Sequence, residues 1–242
     1  MPETIRGLTR LAKYSAVPNI LGYCGSGNAY SFFSELEKTQ SNRAYANAKK
    51  RLSTFKGLNV YTEFIAAKNG LGKFDDRVLE AYWLGNSLVA EITLDEMREL
   101  VGKKFVAKGL VGKQKAEQRA EKLVPGFKPT HSFHVLYITF FTRKVKPSIR
   151  NLGKCIVSWG KVLETGEKKL KVDAVVLAKK KGKFSLEKKK ITVNRALVKK
   201  VKKGDIVSIH WGSAIEVLGK RAFKNLKKHT MSNIKAVNSA RK

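Results

Sequence analysis

Residues 201–218, read as Val-Lys-Lys-Gly-Asp-Ile-Val-Ser-Ile-His-Trp-Gly-Ser-Ala-Ile-Glu-Val-Leu, restrict the fold more than any other stretch of this chain. Lys203-Gly204-Asp205 is a turn signal, and the run Ile206, Val207, Ser208, Ile209 after it reads as a strand. The strand carries His210 to its far end, where Gly212 lets the chain bend away. A second strand is expected at 155–163, with Cys155 at its beginning. If the two pair antiparallel in a small barrel, the start of one meets the end of the other. Cys155 is then expected beside His210, a thiol next to an imidazole.

The first half has a different period. Residues 4–17 read as a helix with Ile5, Leu8 and Leu11 on one face, and Pro18 is expected to end it. A glycine-rich loop follows, in which Cys24 stands ahead of a helix at 31–37, where exposed amides favour a thiolate. The loop lacks the Gly-Lys-Ser/Thr of a phosphate loop, and no strand precedes it as a dinucleotide fingerprint requires. Helical periodicity continues over 42–53, 58–68, 75–88, 94–101 and 114–123, with no visible catalytic set. From Pro129 the chain reads as a strand, which would send His131 and His134, three apart, to opposite faces. Of the two, His134 is the candidate for facing Cys155. Residues 143–151, with Pro147, read as a linker. The fold class is therefore α+β: a helical domain at 1–125, a connecting strand and linker at 126–150, and a small antiparallel barrel with a C-terminal helix at 151–242.

Charge follows the same division. Residues 1–100 hold 13 Lys/Arg against 11 Asp/Glu, whereas residues 101–242 hold 37 against 8. Between Lys168 and Lys203 fifteen basic residues are interleaved with valines and isoleucines, the pattern of strands with lysine-rich outer faces. Lys179, Lys180, Lys181, Lys188, Lys189, Lys190, Lys199 and Lys200 are the candidate contacts for nucleic acid or another polyanion. With few aromatics among them, non-specific phosphate attraction is expected rather than base reading. A solvated surface accounts for the same pattern. The last helix is expected over 220–237, with Ala222, Leu226 and Met231 or Ile234 on its apolar side and His229 at the surface. No leader is visible and the longest apolar run is far short of a membrane span, so a cytoplasmic chain is expected.

Cys155, Gly160 and Val162, followed by Val201, Gly204-Asp205, Val207, Ile209-His210, Gly212 and Ala214-Ile215, resemble the small HypC-type chaperones that mature nickel-iron hydrogenases. The resemblance covers about the last third of the chain. It implies a compact barrel with a C-terminal helix, and a site at Cys155 and His210 that holds an iron fragment carrying cyanide and carbonyl. It also implies a partner: a maturation protein or a hydrogenase large-subunit precursor. The chain departs from that family in three ways: Cys155 is internal, Trp159 stands where the family has proline, and the loop between the strands is longer and lysine-rich. Over its full length the chain also resembles an uncharacterised family with Pro18-x-x-Leu21-Gly22-Tyr23-Cys24-Gly25 near its start.

Two function classes follow. The first is an accessory protein for metal-centre maturation, with iron held by Cys155 and His210 and with Cys24 and His134 as further candidate ligands. A soft thiolate suits low-valent iron with strong-field ligands. The alternative is a basic RNA- or ribosome-associated protein whose cysteines are incidental. A thiol enzyme has little support, since no Asp or Asn is placed by motif to orient His210.

Overall fold

A computed structural model describes residues 3–23, 25, 28–39, 41–139 and 146–240. Helices come first: α1 (Glu3–Ile20), α2 (Ala29–Thr39), α3 (Asn42–Leu52), α4 (Lys56–Lys68), α5 (Asp76–Trp83), α6 (Ser87–Ala90), α7 (Leu94–Glu99), α8 (Phe105–Ala107), α9 (Lys113–Glu121), α10 (His131–Phe133) and α11 (Ile149–Cys155). Strands β1 (Ser158–Thr165), β2 (Lys169–Lys180), β3 (Lys183–Asn194), β4 (Ile206–His210) and β5 (Ser213–Val217) follow, and α12 (Lys220–Ser239) ends the fold. Local chemistry sets several helix starts. Ser41 accepts from the Ala44 N–H, Asp75 from Arg77, and Thr93 with Glu96 forms a reciprocal capping box. No helix among the described residues is long and apolar enough to cross a membrane.

The strands pair in the order β1-β2-β3-β5-β4, and β4 returns to β1, so the sheet closes on itself. All pairings are antiparallel except β3 with β5, which meet in parallel register at Asn194 and Ser213. The sheet is therefore mixed, a correction to the all-antiparallel expectation. Alternation along β2 turns Leu170, Val172 and Ala174 inward, where they meet Val162, Val193, Val207 and Ile209 in a small aliphatic interior. Gly160 lets β1 approach β2 closely, since a Cβ there would lie 3.1 Å from the Ala174 Cα. A second, larger core runs from Leu8, Tyr61 and Leu79 in the helices to Trp159, Leu177 and Ile215 in the sheet. The helical part thus packs on the sheet through one continuous apolar cluster.

Four expectations need correction, each for a physical reason. α1 passes through Pro18 and ends at Ile20. Pro18 falls in the last turn, where the hydrogen bond lost is the one its N–H would have made to the Tyr14 carbonyl four residues back. The strand expected from Pro129 is helical: α10 continues as a π-helix at His134–Ile138. Its β-branched and aromatic residues are buried, so tertiary packing overrides their strand preference. Cys155 ends a helix capped by Ser148 rather than beginning a strand. His229 is buried at 3% exposure and fits against Gly85, whose missing Cβ would lie 2.2 Å from the imidazole.

Candidate metal centre

His210, at the end of β4, is 1% exposed, and its Nδ1 lies 2.8 Å from the carbonyl of Tyr14. A carbonyl can only accept, so Nδ1 carries the proton and Nε2 presents a lone pair. Pro18 leaves that carbonyl without its helical donor, and the imidazole takes the place. Nε2 itself is buried and makes no hydrogen bond of acceptable geometry, although the Cys155 carbonyl stands close to the ring. A ring fixed through one nitrogen by a backbone carbonyl, with the other nitrogen bare, is the arrangement of a metal-ligating histidine.

Pairing of Ser158 with Ile209 brings the start of β1 to the end of β4, and with it the end of α11. The thiol of Cys155, His210 and a third residue, His131, offer ligand atoms that all lie within 4.8 Å of one another. Cys155 Sγ is 3.9 Å from His131 Nε2. A zinc ion binds thiolate at about 2.3 Å and imidazole at about 2.0 to 2.1 Å, so a shift of roughly 1 Å would bring all three onto an ion of that kind. His131 Nε2 now donates to the Cys155 carbonyl at 2.9 Å, and its Nδ1 accepts from the Tyr82 hydroxyl at 3.0 Å. As a ligand, His131 would move its proton to Nδ1 and donate it to Tyr82, the same carbonyl-or-hydroxyl support that His210 has from Tyr14.

Burial holds both imidazoles neutral. It lowers His210 to about 4, opposed by the Tyr14 and Cys155 carbonyls. It pushes His131 well below the ordinary range, helped by the neighbouring His210 and His134 and opposed by the Cys155 carbonyl. Neutral rings are the form that binds metal, so no proton has to be displaced from a charged imidazole at neutral pH.

α12 positions His131 from behind. Asn233 is fully buried; its carbonyl accepts from the Lys128 N–H at 2.8 Å. Its amide donates to Thr130 Oγ1 at 2.9 Å, Ser132 Oγ at 2.8 Å and the Lys128 carbonyl at 3.2 Å. On the other side, Trp83 stacks on Tyr14 and lies 4.5 Å from the His131 ring. The triad opens into a cavity of about 430 Å³ between the helices and the sheet.

Of the residues expected at the site, Cys155 and His210 are brought together. His134 lines the same cavity but stands outside the triad, with Nδ1 at 3.2 Å from the Tyr61 hydroxyl. His131 takes the place expected for it, because helical spacing turns both histidines to the same side, with their rings 6.2 Å apart. Cys24 lies outside the described residues; its neighbours Tyr23 and Gly25 line the cavity, and Tyr23 stacks on Trp211. The candidate polyanion contacts Lys179, Lys180, Lys181, Lys188, Lys189, Lys190, Lys199 and Lys200 are all exposed. Two of them are paired, Lys180 with Glu187 and Lys199 with Glu37, both at 2.7 Å. Lys188, Lys189 and Lys190 are exposed in succession, so this part of β3 has solvent on both faces.

No curated protein and no solved structure matches the chain. A family model does match it, over residues 3–242, and the chain with this Cys-His-His cluster belongs to that family, a family of unknown function (DUF6390).

Proposed function

We propose that this protein holds a transition-metal ion through Cys155, His131 and His210 and serves as an accessory protein in metal-centre maturation, with iron or an iron-ligand fragment as the cargo. The observation that carries this reading is the buried, unpartnered Nε2 of His210 within ligand distance of a thiol and a second neutral imidazole. One thiolate and two imidazoles suit iron, zinc or copper by donor type. Iron is preferred here because the Cys155 and His210 motifs resemble those of the maturation chaperones. Three protein donors leave a coordination position open toward the cavity, which a cargo needs if it is to be handed on. On this reading the partner is a maturation protein or a hydrogenase large-subunit precursor.

Anaerobic purification followed by elemental analysis tests the reading. The expected result is iron near one equivalent per chain, with Cys155→Ser and His210→Gln each lowering retention by more than about tenfold at unchanged melting temperature. Infrared bands in the region of metal-bound cyanide and carbonyl would identify a ligand-bearing fragment. A metal-free protein that also fails to take up ferrous ion in vitro would sink the proposal.

The run of exposed lysines on β2 and β3 favours a second reading, a basic RNA- or ribosome-associated protein. Tight binding to one RNA that persists at high salt would favour it over the first.

A further inference from the structure

A second cavity, of about 440 Å³, opens between α12 and the segment that follows α5. Arg221, Asn225, Lys228 and His229 line it from the one helix, at the i, i+4, i+7, i+8 spacing that sets four side chains in a single stripe. The facing wall is tied to that helix at both ends. At one end the Cδ2 edge of His229 packs on Gly85, where no Cβ could fit. At the other, the Lys128 ammonium donates to the carbonyls of Ala90 and Ile92, while the Lys128 backbone N–H donates to Asn233, one turn of α12 beyond His229. Between these ends the Asn86 amide donates to the Arg77 carbonyl at 2.8 Å and to Glu80 at 3.0 Å, and its oxygen accepts from the Leu88 N–H at 3.0 Å. The cavity thus has braced walls, and it shares no lining residue with the triad.

Its polar groups are uncommitted. His229 is 3% exposed and makes no hydrogen bond among the described residues. With Cδ2 against Gly85, the opposite edge of the ring, which carries Nδ1, is directed away from the glycine, and neither ring nitrogen is closed off from solvent. The side chains of Ser87, Arg221, Asn225 and Lys228 likewise make no hydrogen bond or ion pair with the described residues. Arg77 is engaged with Asp75 at 2.9 Å, and Glu80, the one acid on the described lining, already accepts from Asn86. Two free cations therefore outweigh one occupied carboxylate. Burial, with Lys228 and Lys128 close by, lowers His229 to about 4, so the ring is neutral at neutral pH and has one N–H to give. We infer that this cavity binds a phosphate group, as the free ion or as a small phosphomonoester, held between Arg221 and Lys228 with Ser87, Asn225 and the His229 N–H as further donors. Guanidinium and ammonium groups make their strongest hydrogen bonds to such oxygens, and a phosphate has enough of them to meet donors from both walls at once. The volume is within the usual range for small organic ligands, so an ester body fits beside the head. The inference does not depend on the metal reading.

Titration of the full-length chain with inorganic phosphate and with glycerol phosphate, at constant ionic strength, tests the site. Calorimetry gives the affinity, and the Cε1–H resonance of His229, assigned in isotope-labelled protein, reports where the ligand sits. The resonance is expected to shift saturably, with the same dissociation constant as the heat. Arg221 and Lys228 are exposed, so Arg221→Gln and Lys228→Gln should leave the melting temperature in place. Each should weaken binding by about tenfold, the usual consequence of losing one hydrogen bond between charged groups. Changing Lys188, Lys189 and Lys190 to glutamine should leave the affinity unchanged, because those lysines lie outside this cavity. Tighter binding of glycerol phosphate would mark a phosphorylated metabolite as the occupant and tighter binding of inorganic phosphate the free ion; either supports the site. A His229 resonance that ignores both ligands, or an affinity that either the Arg221 or the Lys228 variant leaves unchanged, would overturn the inference, and the phosphate would then be an adventitious ion only.

Discussion

The Cys155-His131-His210 triad and the lysine hairpin are the two features that stand out in this chain, and they are built in opposite ways. At the triad, His131 and His210 are almost fully buried, and each ring is held by a hydrogen bond to another element through Nδ1. In the hairpin of β2 and β3, Lys179 to Lys181 and Lys188 to Lys190 extend into solvent, with Lys180 tied to Glu187. Water satisfies an exposed ammonium at no cost, so the hairpin is complete as it stands. A buried imidazole nitrogen has no such recourse. The difference teaches that the bare His210 Nε2 calls for a ligand in a way that an excess of charge on a surface does not.

The comparison would break most readily at Asn233. This one side chain holds Lys128, Thr130 and Ser132 together immediately around His131. Replacing it with alanine strands the Lys128 N–H in the interior and should cost about 3 kcal/mol of stability in chemical denaturation. Metal retention should fall as well, because the ring of His131 loses its fixed approach. If Asn233→Ala were as stable as wild type, the triad would not be a rigid, supported site, and its contrast with the hairpin would lose its basis.

A smaller effect is expected at Pro18. Alanine there restores a backbone N–H that competes with His210 for the Tyr14 carbonyl. The helix itself should gain, since proline is the worst residue for a helix interior. Metal affinity should move in the other direction, falling by a few fold, roughly 1 kcal/mol, as the imidazole loses part of its orientation. A variant that is more stable and binds metal equally well would show that the freed carbonyl plays no part in positioning His210.

How legible these features are in the sequence depends on whether the signal is local. β4 could be read from Gly204-Asp205 and the apolar run after it, and so could the position of His210 at its end. The nearness of Cys155 follows from strand pairing, and survives even though Cys155 belongs to a helix, because α11 delivers it to the same end of β1. His131 was hidden. The residues after it, Val135, Leu136, Tyr137 and Ile138, are all buried, so the helix shows no polar face and no period of 3.6, and its composition imitates a strand. His229 was masked by the lysines beside it, and only the glycine at position 85, distant in sequence, makes room for it. The tautomers of His131 and His210 depend on carbonyls and hydroxyls brought from other elements, which no sequence pattern encodes.

The smallest change in stability is expected in the hairpin, and it sharpens the comparison from the other side. Lys188, Lys189 and Lys190 are exposed and oppose Val175, Ala174 and Asp173 across the β2–β3 ladder. Changing all three to glutamine removes mutual repulsion and disturbs nothing buried, so stability should stay within about 0.5 kcal/mol of wild type. Retention on a polyanion should respond instead. For every phosphate that these lysines neutralise in the wild type, the slope of log affinity against log salt should become shallower by about 0.7 to 0.9, with little dependence on base sequence. Metal content should be untouched, since none of the three lines the cavity. A triple variant that took up less metal than the parent chain would mean that the hairpin and the triad are coupled. A salt slope that did not change would mean that phosphates bind on another face, and the basic surface around these three lysines would then serve solubility alone.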